Sequence, residues 1–93
     1  MTDVVVTLRI MPKEKETDLD KIKNKAAKLI KEFGGDLGKS QKVEIAFGLK
    51  ALDLIFVMDE ELGSTEELEE KIRKISGAKS AEVTDVRRAI GWL

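Results

Sequence analysis

Little in these 93 residues is equipped for covalent chemistry. The chain has no cysteine and no histidine, which removes thiol nucleophiles, disulfides, zinc–thiolate sites, imidazole acid–base catalysis and histidine ligation of metals. Carboxylates, lysines and hydroxyls are left, and their spacing is not that of a catalytic set. No glycine-rich phosphate loop of either standard pattern is present, and Gly34-Gly35 closes a helical segment instead of opening one. Asp59-Glu60-Glu61 lacks the oxygen-donor spacing of a cation loop and reads as solvated charge. The expectation is a protein that acts by binding, with no catalytic residue, no cofactor and no metal.

The stretch most suited to binding is Ile45-Ala46-Phe47-Gly48-Leu49-Lys50-Ala51-Leu52, between strand-like runs at Lys42 to Ile45 and Leu49 to Met58. Phe47-Gly48 sets an aromatic ring beside the residue most tolerant of unusual backbone angles. A ring at the tip of a hairpin does not easily fold back onto the core of its own sheet. Local sequence leaves two readings open. Phe47 covers a sheet edge, as isolated apolar surface residues commonly do. Alternatively it is a knob presented to a partner, where a ring brings large apolar area at small entropic cost.

The elements that must position this stretch are legible in the patterning. Asp3 to Met11 alternates, with Val4, Val6, Leu8 and Ile10 on one side and Val5, Thr7 and Arg9 on the other, a strand that Pro12 ends. A helix is expected to start at Thr17 or Asp18, either of which can cap its first amides. Leu19, Ile22, Ala26, Leu29, Ile30 and Phe33 form its apolar stripe, and Gly34-Gly35 ends it. Asp36 to Ile45 reads as an edge strand, interrupted by Gly38, Lys39 and Ser40, with Leu37, Val43 and Ile45 at one parity. Leu49 to Met58 is apolar on both faces, as a central strand is. Its exception, Asp53, is expected to pair with Arg9 on a neighbouring strand. Ser64-Thr65-Glu66-Glu67 has capping-box spacing and opens a second helix with the stripe Leu68, Ile72, Ile75, stopped at Gly77. The last strand, Lys79 to Arg88, changes parity between Val83 and Val86, which a bulge near Thr84-Asp85 reconciles. Ala89 to Leu93 is a short apolar tail carrying Trp92.

Strand, helix, strand, strand, helix, strand, joined by right-handed crossovers, is a split β-α-β sandwich. The expected class is α+β, a ferredoxin-like two-layer fold: four antiparallel strands with two helices on one face, filling residues 1–93 as one domain. A net charge of −1 provides no overall field for nucleic acid. An RNA-recognition domain of this topology stacks bases on central-strand aromatics, whereas here the only central-strand ring, Phe56, lies at the helix-facing parity. No apolar run reaches membrane-spanning length, and Met1-Thr2-Asp3 begins no signal peptide, so the expected location is the cytoplasm.

Ile45-Ala46-Phe47-Gly48-Leu49-Lys50-Ala51-Leu52, Val83-Thr84-Asp85-Val86-Arg87-Arg88 and the opening Asp3-Val4-Val5-Val6 with Met11-Pro12 together resemble the archaeal elongation factor 1-beta family. The likeness runs nearly end to end. It implies the same ferredoxin-like fold, and a role in promoting exchange of GDP for GTP on elongation factor 1-alpha, the GTPase that delivers aminoacyl-tRNA to ribosomes. It makes Phe47, Gly48, Lys50, Asp85, Arg87 and Arg88 the candidate partner-binding residues, with Phe47 as the wedge and Lys50 beside it. One departure stands out. Eukaryotic relatives end with a lysine beside the C-terminus that acts near the partner's magnesium, but here no lysine follows Lys79. Arg87 or Arg88 is expected to bring positive charge to that region, since a guanidinium pairs well with carboxylates and phosphates. The expected partner is the GTPase with its nucleotide, bound by a monomer without direct contact to nucleic acid or membrane. Two other classes share the topology: a small-molecule-sensing regulatory domain, which would pair its sheets into a dimer, and an RNA binder using the lysine-rich first helix.

Overall fold

Alternation along the first strand sets the two layers. In the computed structural model, which describes residues 2–88, Val4, Val6, Leu8 and Ile10 of β1 (Asp3–Pro12) are buried while Val5, Thr7 and Arg9 are half-buried on the opposite face. The elements that follow are α1 (Leu19–Phe33), β2 (Asp36–Ala46), β3 (Leu49–Asp59), a 3-10 turn (Glu60–Leu62), α2 (Glu66–Arg73) and β4 (Ala78–Arg88). The strands form one antiparallel sheet in the order β2-β3-β1-β4. Both helices lie on the face that carries the even-numbered residues of β1 and β3. There Ile22, Ala26, Ile30, Leu68 and Ile72 join Leu8, Leu54 and Phe56 in a single core. Burying each of the large side chains contributes roughly 1.5–3 kcal/mol. This is the expected ferredoxin-like α+β sandwich.

Local chemistry fixes the ends of α1 as expected. Asp18 Oδ1 accepts from the amides of Asp20 at 3.0 Å and Lys21 at 3.3 Å. Gly34, at φ 109°, turns the chain left-handed, and its amide donates to the carbonyls of Ile30 and Lys31. The ion pair expected between the central strands is present. Arg9 and Asp53 face each other in register, and the guanidinium donates Nε to Oδ1 at 2.8 Å and Nη2 to Oδ2 at 3.0 Å. These bonds raise the Arg9 pKa above its ordinary value, against a smaller opposing effect of burial.

The structure departs from the sequence pattern in three places. Leu37 and Val43 do not share a face. Leu37 opposes Phe56 on the helix side, but the register slips between Leu37 and Lys39, so Val43 opposes Ala51 on the open side. Gly38, which weakened the strand pattern, supplies the extra residue. A second slip between Glu44 and Ala46 leaves Ile45 without a directly opposed partner. The capping box is also not formed as spaced. The Ser64 hydroxyl accepts from the Glu66 amide at 3.1 Å, not from Glu67, and the Thr65 hydroxyl donates to Glu69. Helix α2 ends at Arg73, short of Gly77. Ile75 is buried as expected, but from the turn that follows the helix. The expected tail, with Trp92, lies outside the described residues.

Candidate partner-binding surface

The β2–β3 hairpin closes through two residues, Phe47 and Gly48, with Ala46 paired to Leu49. Both turn residues have positive φ, 53° and 77°. That is the requirement of the type I′ turn, whose twist matches that of the flanking strands. Glycine meets it freely. Phenylalanine does not, because its Cβ crowds the carbonyl in the left-handed region, a cost of roughly 1–2 kcal/mol. Among non-glycine residues described, Phe47 alone has a positive φ. Its ring recovers nothing from the fold, being 98 % exposed. The reading in which Phe47 covers a sheet edge is therefore overturned. A strained aromatic that packs on nothing is the kind of outlier that points to function.

Lys50 belongs to the same tip. It lies at the helix-side parity of β3, opposite Glu44. A groove of about 400 Å³ opens beside the turn, lined by Lys15, Lys42, Gly48 and Lys50 together with Pro12, Thr17, Asp18 and Leu19. Lys15 and Lys42 were not legible as site residues. Lys15 sits in a charged connector and Lys42 in an edge strand, and only the strand register brings them to the turn.

The other candidates lie at the far end of the sheet. Arg87 opposes Val5, which opposes Val57 of β3. From Val57 to Leu49 is eight residues, or about 26 Å at strand spacing, and Phe47 lies beyond. Asp85 and Arg87 share the open face, paired at 2.9 Å. Arg88 opposes Val4 and so leaves on the helix side, where its Nη2 lies 3.4 Å from Glu60 Oε2. The motif is thus split between faces, and each guanidinium holds a carboxylate of its own. Both pairs are exposed, and pairs of this kind contribute about 0–1 kcal/mol, so either can be exchanged for another anion.

The expected bulge accounts for this arrangement. The β1–β4 register slips between Thr7, opposite Asp85, and Leu8, opposite Val83, leaving Thr84 extra. Its hydroxyl donates to the Thr7 carbonyl at 3.4 Å. The slip returns Val86 to the side of Val6, and it leaves the Val83 amide to donate to Glu69 Oε1 at 3.1 Å. Glu69 also accepts from Thr65, tying the start of α2 to the bulge. Truncation by Glu69→Ala is expected to destabilise the fold by about 1–2 kcal/mol, read from urea unfolding, because a half-buried amide loses its acceptor. Glu69→Gln, which keeps a carbonyl oxygen, should recover most of that.

The remaining surface is plain. Among the described residues the open sheet face carries no aromatic ring, since Phe56 is fully buried beneath the helices. No group of three or more carboxylates there is arranged to hold a metal ion, and no described helix is long and apolar enough to cross a membrane.

Comparison with known proteins gives this geometry a context. Residues 5–89 match the model of the EF-1 guanine nucleotide exchange domain. Elongation factor 1-beta of Methanothermobacter thermautotrophicus is 42 % identical over 88 residues, covering 95 % of this chain and 98 % of that protein. Those of Methanosarcina barkeri and Metallosphaera sedula are each 42 % identical over 89 residues, covering 95 % of this chain and 99 % and 97 % of theirs. The match takes in both the strained turn and the bulged strand: this chain belongs to the elongation factor 1-beta family of guanine nucleotide exchange domains.

Proposed function

We propose that the chain acts as a single domain, in the cytoplasm and as a monomer, to speed replacement of GDP by GTP on elongation factor 1-alpha, through binding and without covalent chemistry. The observation that carries this reading is Phe47, held in a strained turn with its ring in solvent. An exchange factor needs only to bind the nucleotide-free or distorted GTPase more tightly than the loaded one. Reciprocity then weakens nucleotide binding by the same factor. A shift of ~10⁴-fold requires about 5.5 kcal/mol of differential affinity. One desolvated aromatic anchor supplies about 2–4 kcal/mol of that, and charged contacts the rest.

The equilibrium form of this account is testable without kinetics. GDP affinity of the GTPase, measured by calorimetry, should fall in the presence of saturating exchange domain. An unchanged affinity contradicts the reading. Arg87 and Arg88 are assigned a supporting role, offering positive charge to the partner's phosphate or magnesium region once their own carboxylates are released. Arg87→Ala with Arg88→Ala is expected to lower the exchange rate about tenfold without loss of folding, in line with the removal of one charge-assisted contact. An unaltered rate removes the two arginines from the mechanism.

A further inference from the structure

The groove beside Phe47 extends what the exposed ring alone says about its receptor. Three elements bring a lysine to its lining: the loop before α1 supplies Lys15, β2 supplies Lys42 and β3 supplies Lys50. Lys42 opposes Leu52, whose parity is that of the helix side and is shared by Lys50, so both strand lysines project toward the loop that carries Lys15. The stem of Lys15 lies against the turn itself, since a Cβ placed on Gly48 would sit 3.8 Å from its Cδ. Three carboxylates stand near the set, Asp18, Asp20 and Glu44, but only Lys42 is held in an ion pair. Asp18, the one acid lining the groove, is engaged in capping α1. Asp20 pairs with Lys42 at 3.4 Å, exposed on both sides. Glu44 opposes Lys50 across the hairpin without forming an ion pair, and neither Lys15 nor Lys50 has one among the described residues.

With Lys42 in an exposed, exchangeable pair, the groove presents two unpaired lysines and one weakly held one. An exposed ring flanked on one side by three cations has a complement of definite chemistry, namely an apolar socket bordered by carboxylates. From this juxtaposition we infer that the protein surface receiving Phe47 is a socket whose rim is acidic, and that Lys15, Lys42 and Lys50 steer and orient the ring into it. The inference rests on the exchange reading and gives the receptor its chemistry. The lysines act on encounter, because charges at the border of an interface chiefly raise the association rate and set its salt dependence. The ring acts on residence, because burial of a central aromatic slows dissociation. Nucleic acid is the less suited occupant. Single-strand binding uses aromatics on which successive bases stack, and the other described rings, Phe33 and Phe56, belong to the core and its margin.

The test is stopped-flow association of the full chain with the cognate GTPase at several salt concentrations, for Lys15→Glu, Lys50→Glu, the two combined, and the matched reversal Lys28→Glu on exposed helix surface away from the groove. Circular dichroism melting confirms that each is folded. The double reversal is expected to slow association about tenfold or more and to flatten its salt dependence, with Lys28→Glu close to the unmodified chain. Phe47→Ala should instead act mainly on dissociation. Equal association rates for the double reversal and the unmodified chain would overturn the acidic rim while leaving exchange intact. So would equal slowing by Lys28→Glu, which marks a general charge effect. If the unmodified chain neither binds the GTPase nor speeds GDP release, the exchange reading falls and the rim with it. Tight binding of a short oligoribonucleotide, lost on the same reversals, would assign the groove to nucleic acid and overturn the inference.

Discussion

Phe47→Asn is expected to make the protein more stable by about 1 kcal/mol and at least ~30-fold poorer at exchange. The two effects have one cause. Asparagine followed by glycine is the preferred pair for a type I′ turn, and asparagine tolerates φ of 53° where phenylalanine is strained. Nothing offsets that gain, because the ring is in solvent and makes no apolar contact that the substitution removes. For a domain of this size the change corresponds to a Tm roughly 4–8 °C higher. Loss of a central aromatic anchor at an interface costs at least about 2 kcal/mol of binding, hence the fall in exchange. Thermal melting and GDP-release assays on one preparation check both halves. A less stable Phe47→Asn protein would show that the turn is not strained as described.

Arg9→Ala carries the largest expected effect on the fold, a loss of about 2–4 kcal/mol in urea unfolding. Asp53 is only 5 % exposed, and its carboxylate oxygens have Arg9 as their partner. Removal of the guanidinium strands a buried charge in the middle of the sheet and takes away its two charge-assisted bonds. The double variant Arg9→Met with Asp53→Leu should recover most of the loss, since apolar residues of similar size can replace a buried pair at little cost. If Arg9→Ala with Asp53→Leu, which removes the stranded charge but not the missing stem, is as destabilised as Arg9→Ala alone, packing of the Arg9 stem and not the charge is what stabilises the sheet. The site predicts that none of these variants alters exchange once folded, because the pair lies between the two candidate ends and contacts neither.

The parts of this molecule written in short-range patterns could be read before the structure. Alternation in β1 gave its buried face, the spacing of Leu19, Ile22, Ala26 and Ile30 gave α1, and one carboxylate in an apolar strand announced the pair with Arg9. The parity break between Val83 and Val86 placed a bulge near Thr84-Asp85, and the register makes Thr84 the extra residue. What could not be read depends on how one strand slides against another. The extra residue at Gly38 moves Val43 to the opposite face from Leu37, and nothing within β2 signals on which side the slip falls. Likewise, the two motifs of the family sit about 26 Å apart because β3 and β4 carry them to opposite ends of the sheet. Lys15 and Lys42 meet Lys50 only through that same register. The strain at Phe47 lies between these cases. Phe-Gly at a hairpin tip hints at it, but the positive φ follows from the two-residue closure that pairs Ala46 with Leu49.

Nucleotide release driven by an exposed ring at a strained turn makes one step decisive. Its most direct test is stopped-flow release of a fluorescent GDP analogue from the cognate GTPase, with the unmodified chain and Phe47→Ala measured across a concentration series. Strong acceleration by the unmodified chain is expected, with near-complete loss of it in a folded Phe47→Ala protein. Acceleration that persists undiminished in the variant would contradict ring-driven release.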